Sequence, residues 1–180
     1  MAMVIPVMMQ FVGYQNSGKT TFVNHIIQEL SGKGLKTITI KHHGHGGKPS
    51  VVEDKDSFQT IQAGAMAALV EGDGRMLIQV ESIPFSLNEK IRLLSQFSPD
   101  FILIEGYKNE NLDKVVFLKR YDDFQMLKDL PHVKAFFCWD QRDLTLIQRN
   151  TPLPCFQIDE EKGKRWLIDR LLSQRQSDEL

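Results

Sequence analysis

Gly13-Tyr14-Gln15-Asn16-Ser17-Gly18-Lys19-Thr20 follows the apolar run Val4–Val12 and opens the amphipathic stretch Lys19–Ser31. The octapeptide fits G-x-x-x-x-G-K-[ST] at every position. Each residue type has a chemical reason. The glycines let the backbone curl so that successive N–H groups point at phosphate oxygens. A helix opening near Lys19 aims its positive end at the same place. Lys19 is placed to reach the β- and γ-phosphates, and the Thr20 hydroxyl to ligate Mg²⁺. The strand before and the helix after separate this loop from a chance match in a tight turn. The loop therefore implies a bound nucleoside triphosphate with Mg²⁺.

On either side the chain alternates. Val4–Val12 reads as a central parallel strand. Lys19–Ser31 carries Phe22, Val23, Ile26, Ile27 and Leu30 on one helical face, and Gly32 and Gly34 stop it. Leu35–Lys41 is a β-branched strand, which completes a βαβ unit. Ser57–Ala65 predicts a short helix. Met66–Glu71 and Arg75–Glu81 predict a hairpin around Gly72-Asp73-Gly74. Ser86 and Glu89 form a capping box before a further helix. Strands are expected at Phe101–Ile104, Val115–Lys119, Lys134–Trp139 and Pro154–Ile158. Helices are expected at Phe124–Asp129 and Glu160–Ser173, with a frayed polar tail from Gln174. The fold class is α/β: a three-layer P-loop NTPase fold with a mostly parallel sheet and a hairpin insertion. Residues 1–174 are expected to form one nucleotide-binding domain and 175–180 a polar C-terminal tail.

The 180 residues suffice to bury a core, with 42% hydrophobic and 25% charged residues. A formal net charge of −1 argues against a broad nucleic-acid footprint. No apolar run reaches membrane-spanning length. Met3–Val12 lacks a basic flank and a cleavage site, so it reads as a strand and not as a signal peptide. Cys138 and Cys155 read as buried free thiols, consistent with a cytoplasmic setting.

A loop of this kind needs a carboxylate near Mg²⁺, at the carboxyl end of a neighbouring strand. Glu105 ends Phe101–Ile104 and is assigned to the Mg²⁺ shell, while Asp100 lies at the far end. The alternative is an ordinary strand-end acid. Lys41-His42-His43-Gly44-His45-Gly46-Gly47-Lys48 also starts at the ligand end. It admits three readings, in order: contact with an anion or substrate, a solvated loop, and a transition-metal site. Asp56 and Ser57 either cap the next helix or place Asp56 near Mg²⁺ and the attacking water. After the strand ending at Trp139, Asp140 or Asp143 is placed to accept from a guanine base, or both are plain loop acids.

Four segments now stand in order: GYQNSGKTTF, KHHGHGG, DKDSFQTIQAGA and FILIEGYK. Together they resemble the molybdopterin-guanine dinucleotide biosynthesis protein B (MobB) family. The likeness covers roughly Val7 to Lys119. It implies a P-loop fold related to dimeric GTPases that include nickel-insertion chaperones. It also implies GTP as the nucleotide, slow Mg²⁺-dependent hydrolysis and homodimers. The implied partner is the guanylyltransferase that attaches GMP to molybdopterin. By resemblance Gly13 to Thr20 and Thr21 hold the phosphates. Lys41, His42, Asp56 and Ser57 match the second motif, and Glu105, Gly106 and Lys108 match the third. Two departures stand out. Asp54 precedes Lys55-Asp56-Ser57 where the family usually carries glycine, and Tyr14 stands where some related dimeric ATPases carry lysine.

The expected function is that of a GTP-binding accessory protein of molybdenum cofactor assembly. Lys19, Asp56 and Glu105 are its catalytic candidates. Slow turnover follows from a loop without an arginine finger. The alternatives are a small-molecule kinase, with Arg142 and Arg149 as lid candidates, and a metal-insertion GTPase using His42, His43 and His45.

Overall fold

The computed structural model describes residues 5–42 and 56–178, which fall into two compact units. The larger one holds a six-stranded sheet in the order β2-β5-β1-β6-β7-β8. Its strands are β1 (Val7–Gly13), β2 (Thr37–Lys41), β5 (Phe101–Glu105), β6 (Lys114–Leu118), β7 (Val133–Cys138) and β8 (Cys155–Gln157). Every pairing among them is parallel. The smaller unit carries α2 (Asp56–Gln62) and the antiparallel pair β3 (Ala67–Gly72) and β4 (Arg75–Val80).

The sheet is a middle layer because its side chains alternate between two apolar faces. Val115, Phe117, Ala135 and Phe137 point to one face. There they meet Phe22, Val23, Ile26 and Leu30 of α1 (Lys19–Gly32) and Leu167, Ile168 and Leu171 of α6 (Glu161–Asp178). Val116, Leu118, Phe136 and Cys138 point to the other face. They pack on Phe124 and Leu127 of α4 (Tyr121–Leu127) and on Leu144 and Ile147 of α5 (Gln141–Gln148). Cys138 is buried and Cys155 half-buried, both free. Burial pushes both thiols up, Cys155 to about 11.

Most expected elements are present with ends shifted by a few residues, as helix and strand boundaries do. The capping box forms ahead of α3 (Leu87–Ser95): Ser86 N donates to Glu89 Oε2 (2.8 Å) and Glu89 N to Ser86 Oγ (3.2 Å). In the hairpin, Gly72 pairs with Arg75, so Asp73-Gly74 is a two-residue turn with φ of 48° and 74°. That is the type I′ geometry an Asp-Gly pair favours. Three findings depart from expectation. Helix α5 occupies a stretch read as loop. Helix α6 continues past Gln174 to Asp178, because Gln174 Nε2 donates to Asp113 Oδ2 (3.2 Å) and Arg175 pairs with Asp100 (3.0 Å). Asp56 and Ser57 both lie within α2, which starts one residue earlier than expected.

The connection from β5 to β6 has no helix. Residues 106–113 join these two strands, which flank β1 in the sheet, and are held by two buried side chains. Buried Gln10 of β1 donates to Gly106 O (3.2 Å) and Tyr107 O (2.8 Å). Lys114 is wholly buried, and its ammonium donates to Glu110 O (2.7 Å) and Pro131 O (2.8 Å). Burial holds this ammonium below the usual lysine range, partly offset by Asp113 and Glu110. Among the described residues no helix is long and apolar enough to cross a membrane.

Candidate functional site

The loop from Gly13 to Thr20 leaves the carboxyl end of β1, at the centre of the sheet, and enters α1. Gly13 sits at φ 155°, and an added Cβ would lie 2.4 Å from the Phe117 carbonyl oxygen. Gly18 caps α1 at φ 89°, with no side chain capping the helix. Its N-terminal N–H groups thus face the loop, the arrangement that attracts anions. A Cβ on Gly18 would meet the Trp139 ring at 2.7 Å. Gly18→Ala is therefore expected to lose about 1–2 kcal/mol from the left-handed backbone alone, with nucleotide affinity lowered as Trp139 is displaced. A thermal melt and a nucleotide titration check this. An unchanged melting point would show that the loop reshapes without cost.

Lys19 folds over the loop. Its ammonium donates to Gly13 O (2.9 Å), Tyr14 O (2.7 Å) and Ser17 Oγ (3.1 Å). Burial pulls it below the usual lysine range; Glu105 opposes this, while Lys41 and Lys119 add to it. Ser17 is buried, whereas Tyr14, Gln15, Asn16, Thr20 and Thr21 are exposed. Asn16 takes a left-handed φ of 57°, which asparagine tolerates better than most residues.

Glu105 lies at the carboxyl end of β5, next to β1, and is buried. Thr20 Oγ1 donates to Glu105 Oε2 across 2.9 Å. Lys41 ends β2 and pairs in register with Glu105. Its Nζ donates to Thr20 Oγ1 (3.0 Å) and lies 3.7 Å from Glu105 Oε2. Lys19, Thr20, Lys41 and Glu105 thus converge at the mouth of the loop. Asp100 sits at the opposite end of β5, where its carboxylate accepts from Lys36 N (2.7 Å) and pairs with Arg175.

His42 follows β2. Its N–H donates to Glu105 O (3.0 Å), and its ring lies 4.7 Å from that of Tyr107. Lys108 is exposed in the turn beyond. His43, His45, Lys48 and Asp54 lie outside the described residues, so the metal and anion readings of that loop concern positions beyond them. Asp56 belongs to the smaller unit, at the start of α2.

Two features escape a sequence reading. Trp139 follows β7, packs its ring on Gly18 and donates from Nε1 to Ser17 O (3.3 Å). Asp140 is the N-cap of α5: its Oδ1 accepts from Arg142 N (2.8 Å) and Asp143 N (3.1 Å). Of the two acids read as base acceptors, Asp140 thus caps the helix through Oδ1, and Asp143 lies in its first turn. The signal for α5 was present as Asp140 ahead of Leu144 and Ile147, a capped apolar pair one turn long.

The family described as "Molybdopterin guanine dinucleotide synthesis protein B" matches residues 8–139. A Bacillus subtilis protein described as "Probable molybdopterin-guanine dinucleotide biosynthesis adapter protein" is 33% identical over 173 residues, 95% of this chain and 97% of that protein. The crystal structure of Bacillus subtilis MobB superposes with a TM-score of 0.78 at 36% identity, over 94% of this chain and 98% of the other. HypB from Helicobacter pylori, solved in complex with nickel, shares the fold at a TM-score of 0.54 and 14% identity, covering 96% and 88%. With the phosphate loop, the acid at the end of β5 and a match over most of its length, the chain belongs to the molybdopterin guanine dinucleotide synthesis protein B family.

Proposed function

We propose that this chain is a GTP-binding adapter of molybdopterin-guanine dinucleotide biosynthesis, with slow Mg²⁺-dependent GTPase activity. The observation that carries this reading is the Thr20–Glu105 contact at the mouth of the loop. A hydroxyl and a carboxylate meet there beside Lys19 and an uncapped helix N-terminus. Both are hard oxygen donors, which suits Mg²⁺ better than any soft metal. Thr20 and Glu105 would hold the ion, Glu105 through its water shell. Bound Mg²⁺ supplies neutralising charge to the β- and γ-phosphates.

The remaining work falls to the chain's own groups. The backbone N–H groups from Gly13 to Gly18 bind the phosphates, and Thr21 extends that cradle into α1. Lys19 exchanges its three loop acceptors for phosphate oxygens. Lys41, His42 and Lys108 add contacts around the same end of the sheet. Asp56 is proposed to orient the attacking water. Asp143, in the first turn of α5, or Asp140 ahead of it is proposed to accept from a guanine N1–H and N2–H₂, and family membership supports GTP over ATP. No arginine stands in the loop, so rapid hydrolysis requires a charge from elsewhere.

The partner is proposed to be the guanylyltransferase that joins GMP to molybdopterin, in the cytoplasm, and the working form a homodimer. The hairpin supports self-association, because Leu69, Val70, Leu77 and Ile78 expose apolar side chains on both of its faces.

Calorimetric titration with GTP and ATP, with and without Mg²⁺, tests the reading. Tighter binding of GTP that needs Mg²⁺ supports it; equal affinity for both would sink the base assignment. Glu105→Gln is expected to slow Mg²⁺-dependent hydrolysis about 10- to 100-fold while changing GTP affinity less than about 5-fold. Unchanged hydrolysis would make Glu105 a structural strand-end acid.

A further inference from the structure

The register of the sheet places a lysine against the two side-chain oxygens assigned above to Mg²⁺. Lys41 and Glu105 are paired residues of adjacent parallel strands, so their side chains leave the same face of the sheet. Thr20 enters from the first turn of α1. The three form a hydrogen-bonded chain: Lys41 Nζ donates to Thr20 Oγ1 at 3.0 Å, and Thr20 Oγ1 donates to Glu105 Oε2 at 2.9 Å. The same ammonium lies 3.7 Å from Glu105 Oε2. One positive charge therefore rests on both oxygens that the proposed function assigns to Mg²⁺.

We propose that Lys41 is a built-in competitor of the divalent cation for the Thr20–Glu105 oxygen pair. Two cations cannot share oxygens at these distances without strong repulsion. Lys41 must therefore leave the pair when a divalent ion is held there, and its presence raises the Mg²⁺ concentration at which the site fills. The side chain has room to move, since more than half of its surface is exposed and its stem is flexible. The inference rests on the nucleotide reading above.

The test is equilibrium dialysis with radiolabelled GTP at a series of free Mg²⁺ concentrations, on wild type, Lys41→Met and Lys119→Met. Lys119 also acts on Lys19 through its charge but lies outside the Thr20–Glu105 contact, so it controls for general electrostatics. Circular dichroism checks that both variants fold. Competition predicts that Lys41→Met lowers the half-saturating Mg²⁺ concentration about 3- to 10-fold, whereas Lys119→Met shifts it less than about 2-fold. A value unchanged or raised in Lys41→Met overturns the proposal. An equal shift in both variants also overturns it, since the effect would then be long-range charge. GTP binding by wild type without any dependence on Mg²⁺ refutes the competition while leaving the nucleotide reading standing. No GTP binding at any Mg²⁺ concentration removes both.

Discussion

Lys19→Ala is expected to weaken GTP binding at least about 100-fold, which corresponds to roughly 3 kcal/mol, while leaving the fold in place. The argument is electrostatic. A triphosphate concentrates negative charge at the loop, and Lys19 is the ammonium that already leans over it, within hydrogen-bond distance of three loop oxygens. Charge-assisted contacts are the strong ones, and this one is partly desolvated. The native ammonium also ties Gly13, Tyr14 and Ser17 together, so a small loss of stability accompanies the substitution. Calorimetry reads the affinity, and a melt reads the fold. Affinity within about 5-fold of wild type would refute the assignment of the loop as a phosphate site. Lys19→Arg separates charge from shape: its planar fork is too large for the three inward acceptors, so affinity is expected to stay low although the charge is kept.

Phe137→Ala carries the largest expected loss of stability, about 3–5 kcal/mol, from a total of about 5–15 kcal/mol for a native domain. The ring is wholly buried at the junction of four elements. It meets Phe22 of α1 edge-on at 4.8 Å, stacks on Phe117 of β6 at 5.1 Å and lies 5.5 Å from Phe156 of β8. Gly163 of α6 approaches so closely that a Cβ there would lie 2.8 Å from the Phe137 ring. The helix that carries Lys19 and Thr20 is therefore seated partly on this ring. Denaturant unfolding measures the loss, and Phe137→Leu is expected to lose less, since it keeps most of the buried volume. A loss under about 1.5 kcal/mol in the alanine variant would mean that the surrounding rings collapse into the space, and that the aromatic cluster is not what seats α1.

The partition between sequence and tertiary structure is visible in individual residues. Wherever a signal is local and periodic, it is legible. Gly13 to Thr20 between an apolar run and an amphipathic stretch specifies strand, loop and helix by itself, since each requirement falls within one turn or one strand. Ser86 and Glu89 name a helix start, and Asp73-Gly74 names a turn, for the same reason. The position of Glu105 on the side from which the loop leaves follows from polarity alone: in a parallel sheet, every strand's carboxyl end lies on one side.

Helix α5 is less legible because two buried residues, Leu144 and Ile147, make a weak periodic signal, and Asp140 looks the same whether it caps a helix or reads a base. The end of α6 was decided at a distance, by Asp100 and Asp113, far earlier in the chain. Gln10 and Lys114 are polar residues in strands, and nothing nearby in sequence says that they fasten a crossover. Trp139 reaches Gly18 only because β7 ends beside the loop.

Local pattern was thus enough to read a P-loop on a parallel α/β sheet, and to say which acid ends β5, because each of those signals falls within one strand or one turn. What surrounds the loop could be read only from the folded chain. Strand order set Glu105 against Thr20, and register set Lys41 against both, because contacts between residues 21 to 85 positions apart depend on how strands pair.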